Sequence, residues 1–363
     1  MEKYSQFRDR GSGIAPFFPV PSPPTGIFFL PIHIFLFVIR LPPLLCISIF
    51  YFVVLRWLPV GSLAKKAALW CMIGIPGIWW IDLQIDRVKR GSLAKQNAHR
   101  LPSPGSIIAS SFTTPLDCLY LAAIFDPIFT ASYPTTREVQ RISLFRAMQL
   151  ALLPPTLHPP PSARLTTLSA LLAENPSAII VVLPECTTTN GRGILPFSPS
   201  LLSAPPSTKI FPVSMRYTPG DVTTPVPGEY LAWFWRVASK PTHCIRVRIA
   251  ECVYNNAALT TPAPSTTTTA MTNSNSAARR NGVHKPAYDA NFFDSMPIGG
   301  SVSSSDTLVG SETAAASEDG LSGEERRVLE RLGEDLARLG RVKRVGLGVR
   351  EKIEFVKVWK KKR

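Results

Sequence analysis

The sequence predicts an α/β fold: a sheet with flanking helices, membrane-anchoring helices ahead of it, and a C-terminal amphipathic helix behind it. Three observations predict this. With 18% charged and 45% hydrophobic residues and a mean hydropathy of +0.11, the chain is too apolar to stay unfolded. Two interrupted apolar runs occupy residues 27–55. Between residues 101 and 253, short strand-like runs alternate with helical stretches. A length of 363 residues allows one large domain with appendages, or two domains.

The first 25 residues are Pro-rich and mixed in charge, and they are expected to be disordered; they do not read as a signal peptide. Residues 26–90 are expected to form the membrane anchor. Ile27–Ile39 is broken by Pro31, and Leu44–Leu55 follows Pro42-Pro43. Each run is shorter than the ~20 apolar residues that a crossing helix needs. Together they read either as one long helix kinked at the prolines or as a re-entrant hairpin turning at Pro42-Pro43. Ala67–Ile81, with Trp79-Trp80 and the following Arg87, Lys89 and Arg90, reads as an interfacial helix.

Residues 100–253 have the texture of a folded domain. Ser106–Ser110, Ala178–Leu183, Lys209–Tyr217 and Cys244–Ala250 are expected strands. Pro115–Ile124, Arg137–Leu152 and Leu165–Ala173 are expected helices. Residues 254–319 are low in complexity and read as a linker. Residues 320–363 form a basic helical tail, opened by the S-x-x-E capping box of Ser322 and Glu325. Val328, Leu329, Leu332, Leu336 and Leu339 then recur at helical spacing.

The net charge of +15 is unevenly spread, with +5 on residues 63–100 and +7 on 321–363, while 101–150 carry none. Nucleic-acid binders concentrate such charge on one folded face, and no helix-turn-helix, RRM or zinc-finger pattern occurs, so no nucleic-acid partner is expected. Basic clusters that flank apolar segments fit the cytosolic face of a membrane instead. Six Cys without a C-x-x-C pair argue against a zinc ribbon or a disulfide scaffold, and no metal site is expected.

Three segments carry candidate chemistry. In Ser110–Asp117, Thr114 suits an N-cap, Pro115 the first helical position and Asp117 the first turn, which explains Asp117 without catalysis. In Leu183–Gly193, a strand runs into Pro184-Glu185, then Cys186, three threonines and a Gly-flanked Arg192. Hydroxyls, loop N–H groups and a guanidinium are suited to phosphate, although a polar surface loop explains the same residues equally well. Phe211-Pro212-Val213 is a strand with an internal Pro, by itself an edge or bulged strand.

In this order, behind an apolar anchor, the three segments resemble the phospholipid/glycerol acyltransferase superfamily. Its blocks run H-x-x-x-x-D, F-P-E-G-T and a Pro-containing strand. TTTNGRG after Glu185 and the later GRVKRVGLGV look most like the fungal lysophosphatidic acid acyltransferase branch. The resemblance implies transfer of an acyl chain from acyl-CoA, as co-substrate, to lysophosphatidic acid or a related lysophospholipid, with no bound cofactor. It implies Asp117 as the orienter of a general base, and Glu185, Thr187, Thr188 and Arg192 as the acceptor-phosphate block.

Two departures stand out. The base position holds Phe112, which takes no proton, and Cys186 replaces the Gly after Glu185. His284 and Asp289 repeat H-x-x-x-x-D in the wrong order relative to the other blocks. His33, His99, His158 and His243 do not obviously repair the loss, and Cys118 and Cys186 are the remaining reactive side chains near the blocks. Phe112 therefore motivates a second expectation: a catalytically degenerate lipid-binding or membrane-trafficking protein on the same fold. Lys360-Lys361, at positions four and three counted from the end, resemble a dilysine retrieval signal, and a polybasic membrane-surface tail explains them as well. Both put the C-terminus and the catalytic-like domain on the cytosolic side, at the endoplasmic reticulum or a lipid droplet.

Overall fold

A computed structural model describes residues 2–24, 26–55, 58, 61–86, 88, 100–256 and 321–361. Residues 257–319 of the expected linker, the basic cluster Arg87, Lys89 and Arg90, His99, the His284–Asp289 repeat and the last two residues lie outside the described residues. One compact unit comprises Met1–Thr261 and Ser322–Arg363.

Apolar residues from Ile27 to Leu55 form one continuous helix of 29 residues with mean hydropathy 2.2. Its α-helical part, α1 (Leu30–Ile49), continues through Pro42-Pro43, so no hairpin forms there, and it ends in π-type turns over Phe50–Leu55. Among the described residues this is the helix long and apolar enough to cross a membrane. It leaves Phe28, Phe35, Val38 and Ile49 exposed. One charge interrupts it: Arg40 donates to the carbonyls of Pro76, Ala238, Lys240 and Pro241, so its guanidinium is satisfied by backbone.

After α2 (Ser62–Gly74), the chain enters β1 (Ile78–Ile85). This corrects the reading of Ala67–Ile81 as one interfacial helix: the helix ends at Gly74, and Ile78–Ile81 already belong to a strand parallel to β9 (His243–Ile249). Gly77 makes the entry. Its φ is +89°, and a Cβ there would lie 2.5 Å from the Pro241 carbonyl oxygen, so no side chain fits. Trp79 and Trp80 remain two-thirds exposed on the strand.

The remaining strands are β2 (Ile107–Ser110), β3 (Ile128–Ser132), β4 (Val139–Ile142), β5 (Leu165–Thr166), β6 (Ile180–Val182) and β8 (Ile210–Thr218). With β1 and β9 they form an eight-stranded sheet, ordered β1-β9-β8-β2-β6-β3-β4-β5. The central strands β8, β2, β6 and β3 are mutually parallel, and β9, β4 and β5 add antiparallel pairings. Fully buried central strands read as unbroken apolar runs, which is why β2, β6 and β8 were visible in sequence.

Two expected helices begin later than the sequence suggests. Arg137–Leu152 divides into β4 and a short α4 (Leu144–Leu150), whose cap Ser143 accepts from Arg146 N at 3.3 Å. Leu165–Ala173 divides into β5 and α5 (Leu168–Glu174), capped by Thr167. Runs of two to four residues are too short for periodicity to separate strand from helix. α3 (Pro115–Phe125) is apolar all round because Pro115 to Ala123 are all buried. α6 (Tyr230–Ala238) packs on α1, with Phe37 5.0 Å from Trp235.

Both ends of the chain join this body, against the expectation of a disordered N-terminus and a separate tail. α7 (Gly323–Gly340) buries Leu329, Leu332, Leu336 and Leu339. β7 (Gly193–Ile194) pairs with β10 (Lys343–Arg344), and α8 (Val349–Lys360) follows. Phe355 of α8 is fully buried against Phe7 and Phe17, at ring separations of 5.3 and 6.0 Å. Each such aromatic burial contributes about 1.5–3 kcal/mol.

Candidate functional site

The parallel strands β2, β6, β3 and β8 deliver their carboxyl ends to one edge of the sheet, where open α/β sheets bind ligands. The turn after β2 carries Phe112 to Asp117, and the loop after β6 carries Glu185 to Arg192.

Asp117 is completely buried. Its Oδ2 accepts from Thr113 N at 2.6 Å, Thr113 Oγ1 at 3.0 Å and Thr114 N at 3.0 Å. Its Oδ1 accepts from the Tyr217 hydroxyl at 2.6 Å. Burial pushes its pKa up to about 6, against the pull of those four donors. This carboxyl holds the β2–α3 turn and Tyr217 together, and Phe112 beside it is 2% exposed within the core.

Glu185 is equally buried, with Oε1 accepting from Phe112 N at 3.4 Å and Oε2 from Leu195 N at 3.3 Å. It therefore ties the two blocks together by their backbones. Facing the same loop is a residue that sequence reasoning passed over. Lys352 of α8 is 1% exposed, and its Nζ donates to the carbonyl and the hydroxyl oxygen of Thr188. Burial drives Glu185 up to about 8 and Lys352 down to about 7, each opposed by the charge of the other.

Cys186, where the resembled motif has Gly, keeps a left-handed backbone at φ +56°. A side chain in this region costs roughly 1–2 kcal/mol. Burial pushes its thiol up to about 12, and that of Cys118 well above its ordinary value, so neither is a thiolate nucleophile at neutral pH.

A cavity of about 620 Å³ opens at this edge, lined by Phe112, Leu183, Cys186 and Thr187 from the two blocks. Ser132, Tyr133, Arg146, Leu150, Leu153 and His158 complete much of its wall. Arg146 and His158 were not singled out as ligand-binding groups in sequence. Arg146 lay inside an expected helix, and His158 lies in a proline-rich loop; only the topology of β3, β4 and α4 brings them opposite the blocks. His158 Nδ1 sits 3.4 Å from Thr135 Oγ1. The other two described histidines are engaged elsewhere, His33 with the Ser239 carbonyl and His243 with the Val237 carbonyl, both at 2.8 Å.

Of the residues expected to hold an acceptor phosphate, the structure brings together only some. Thr187 lines the cavity. The Thr188 hydroxyl points inward, donating to the Thr224 carbonyl at 2.6 Å. Arg192 is exposed and lines a different groove with Arg216, Arg341 and Lys343. The loop turns at Asn190 and Gly191, where Asn190 Nδ2 donates to the Ala15 and Phe18 carbonyls, and this carries Arg192 away from the cavity.

No family model matches the chain, and no solved structure matches it. Over 233 residues the chain is 29% identical to a Schizosaccharomyces pombe protein named "Putative lysophosphatidic acid:oleoyl-CoA acyltransferase", covering 62% of this chain and 77% of the relative. In its three ordered blocks and along this alignment, the chain is similar to the fungal branch of the glycerolipid acyltransferases.

Proposed function

We propose that the protein is a membrane-anchored lysophospholipid acyltransferase that moves an acyl chain from acyl-CoA to lysophosphatidic acid, forming phosphatidic acid. The observation that carries this reading is the cavity between the two blocks: apolar side chains line it, and Arg146, Thr187 and His158 converge on it. An apolar wall with a few polar groups suits one lysolipid molecule. In this reading Arg146 and Thr187 hold the acceptor phosphate. The acceptor hydroxyl oxygen attacks the thioester carbonyl, the C–S bond breaks, and CoA leaves as thiolate. The hydroxyl proton passes to His158, which returns it to the thiolate. Asp117 takes no part in proton transfer, because both its oxygens are occupied. The long apolar helix over Ile27–Leu55 fits attachment to a membrane, and we assign the site to the cytosolic face of the endoplasmic reticulum or a lipid droplet.

The test is acyl transfer by the purified full chain in liposomes, with labelled acyl-CoA and lysophosphatidic acid. Labelled phosphatidic acid is the expected product; its absence with every lysophospholipid offered, under conditions where a His-bearing relative turns over, overturns the reading. One observation favours a second reading, a silent lipid-binding protein: a buried Phe112 fills the base position, and Asp117 has no imidazole to orient. Rescue of an acyltransferase-deficient strain by the native sequence excludes silence.

A further inference from the structure

Arg192, Arg216, Arg341 and Lys343 line a groove of about 580 Å³ with no carboxylate in its wall. Two elements converge there: the stretch after the second block, where β7 begins, and the turn from α7 into β10. Structural duties account for one of the four cations. Arg216 donates to the Gly340 carbonyl at 2.7 Å, closing the carboxyl end of α7 as Arg248 does through Leu339. Among the described residues, the side chains of Arg192, Arg341 and Lys343 have no hydrogen-bond or ion-pair partner. Like charges gathered without a counter-charge repel one another, and an anion bound among them would relieve that repulsion.

A second feature points the same way. Arg341 occupies the position just past α7 that favours glycine, with φ +50°. A non-glycine residue there carries roughly 1–2 kcal/mol of strain. Strain retained at one residue of a cationic groove is the pattern of a binding position.

The chemistry of the two substrates decides which anion fits. In lysophosphatidic acid, the reacting hydroxyl and the phosphate sit on the same glycerol, so that phosphate must lie in the cavity with the reacting atoms. An acyl-CoA is built differently, with the pantetheine arm separating its thioester from a diphosphate and a ribose phosphate. Thr187 lines the cavity and Arg192 the groove, so the five backbone steps from one to the other span at most about 18 Å. The groove is therefore outside the cavity and within reach of a long ligand bound there.

We infer that this groove binds the phosphorylated nucleotide end of acyl-CoA, with Arg192, Arg341 and Lys343 as its anion ligands. The inference rests on the proposed acyl-transfer reading for its substrate. Its test does not need turnover.

Calorimetric titration of the full chain in detergent with adenosine 3′,5′-bisphosphate should give saturable binding, weakened about tenfold or more in R341E/K343E. In acyl transfer, the same variant should raise KM for acyl-CoA with KM for lysophosphatidic acid unchanged. Arg341→Gly separates ligand binding from folding. It should raise thermal stability by relieving the left-handed strain, yet weaken nucleotide binding. Inorganic phosphate and vesicles containing phosphatidic acid serve as comparison arms. Nucleotide binding that is absent, or unchanged in R341E/K343E, overturns the inference. So does selective loss of vesicle binding, which would assign the groove to lipid headgroups. Nucleotide binding lost in the variant by a protein that transfers no acyl chain supports the groove and overturns the acyl-transfer reading instead.

Discussion

Lys352 reaches across 164 residues of sequence to donate to the Thr188 hydroxyl at 3.0 Å, inside the loop that closes the candidate cavity. The same nitrogen also donates to the Thr188 carbonyl, and Thr188 in turn donates to the Thr224 carbonyl. A cation from α8 thus fixes the backbone on which Thr187 is presented. Removing it as Lys352→Met leaves a buried carbonyl short of a donor and Glu185 without its facing charge. A loss of about 1–3 kcal/mol in unfolding free energy is expected, measured by denaturant titration. E185Q/K352M should lose less than the two single costs combined, because it removes the facing pair together and leaves neither buried group without the other.

Glu185 makes stability depend on pH in a known direction. Its folded pKa is raised from 4.5 to about 8, so the folded protein holds a proton that the unfolded chain releases. Stability from this group is full below pH 4.5 and falls as pH rises towards 8. Lys352 adds an opposite slope only above about pH 7. Between pH 4.5 and 7, thermal midpoints should therefore decline for the native chain, and decline less for Glu185→Gln. Equal slopes would show that Glu185 is ionised in the fold.

The two arginines are separable by kinetics. Arg146 lines the cavity and Arg192 does not. Arg146→Ala should raise KM for lysophosphatidic acid about tenfold, the loss of one charge-assisted contact, whereas Arg192→Ala should leave that KM alone. A rise with Arg192→Ala alone would return the acceptor phosphate to the second block.

His158→Ala should lower kcat by about 10²–10⁴-fold, read from single-turnover acyl transfer. Phe112→His is the companion variant. Asp117 already accepts from four donors, so a new imidazole finds no free oxygen to orient it, and little gain in rate is expected. A large gain would show instead that the scaffold was waiting for its base.

Cys186→Gly should stabilise the chain by about 1 kcal/mol, because φ +56° suits glycine and strains any side chain. Thermal unfolding of the two proteins checks this, and activity should persist.

What the sequence disclosed was local. The buried runs of β2, β6 and β8 and the cap residues Thr114–Asp117 were legible because apolar continuity and turn chemistry are written within a few residues. The β1 strand was not, since Trp79 and Trp80 stay exposed and mimic an interfacial anchor. Nor were the partners of the second block. Arg146, His158 and Lys352 meet it only through long-range topology, and Phe7 and Phe17 looked like residues of a loose terminus until Phe355 covered them.

The burial of Lys352 beneath the Thr188 loop also sets a timetable for the newborn protein. On the proposed membrane-anchored reading, residues 27–55 leave the ribosome and meet the lipid before the sheet is made. The β2 and β6 turns follow, yet their floor is α8, synthesised more than 160 residues later. Domains that fold as they emerge complete themselves from the front. Here the closing contact comes last, so a nascent chain halted anywhere before residue 352 has both turns but lacks the buried nitrogen that holds the Thr188 loop.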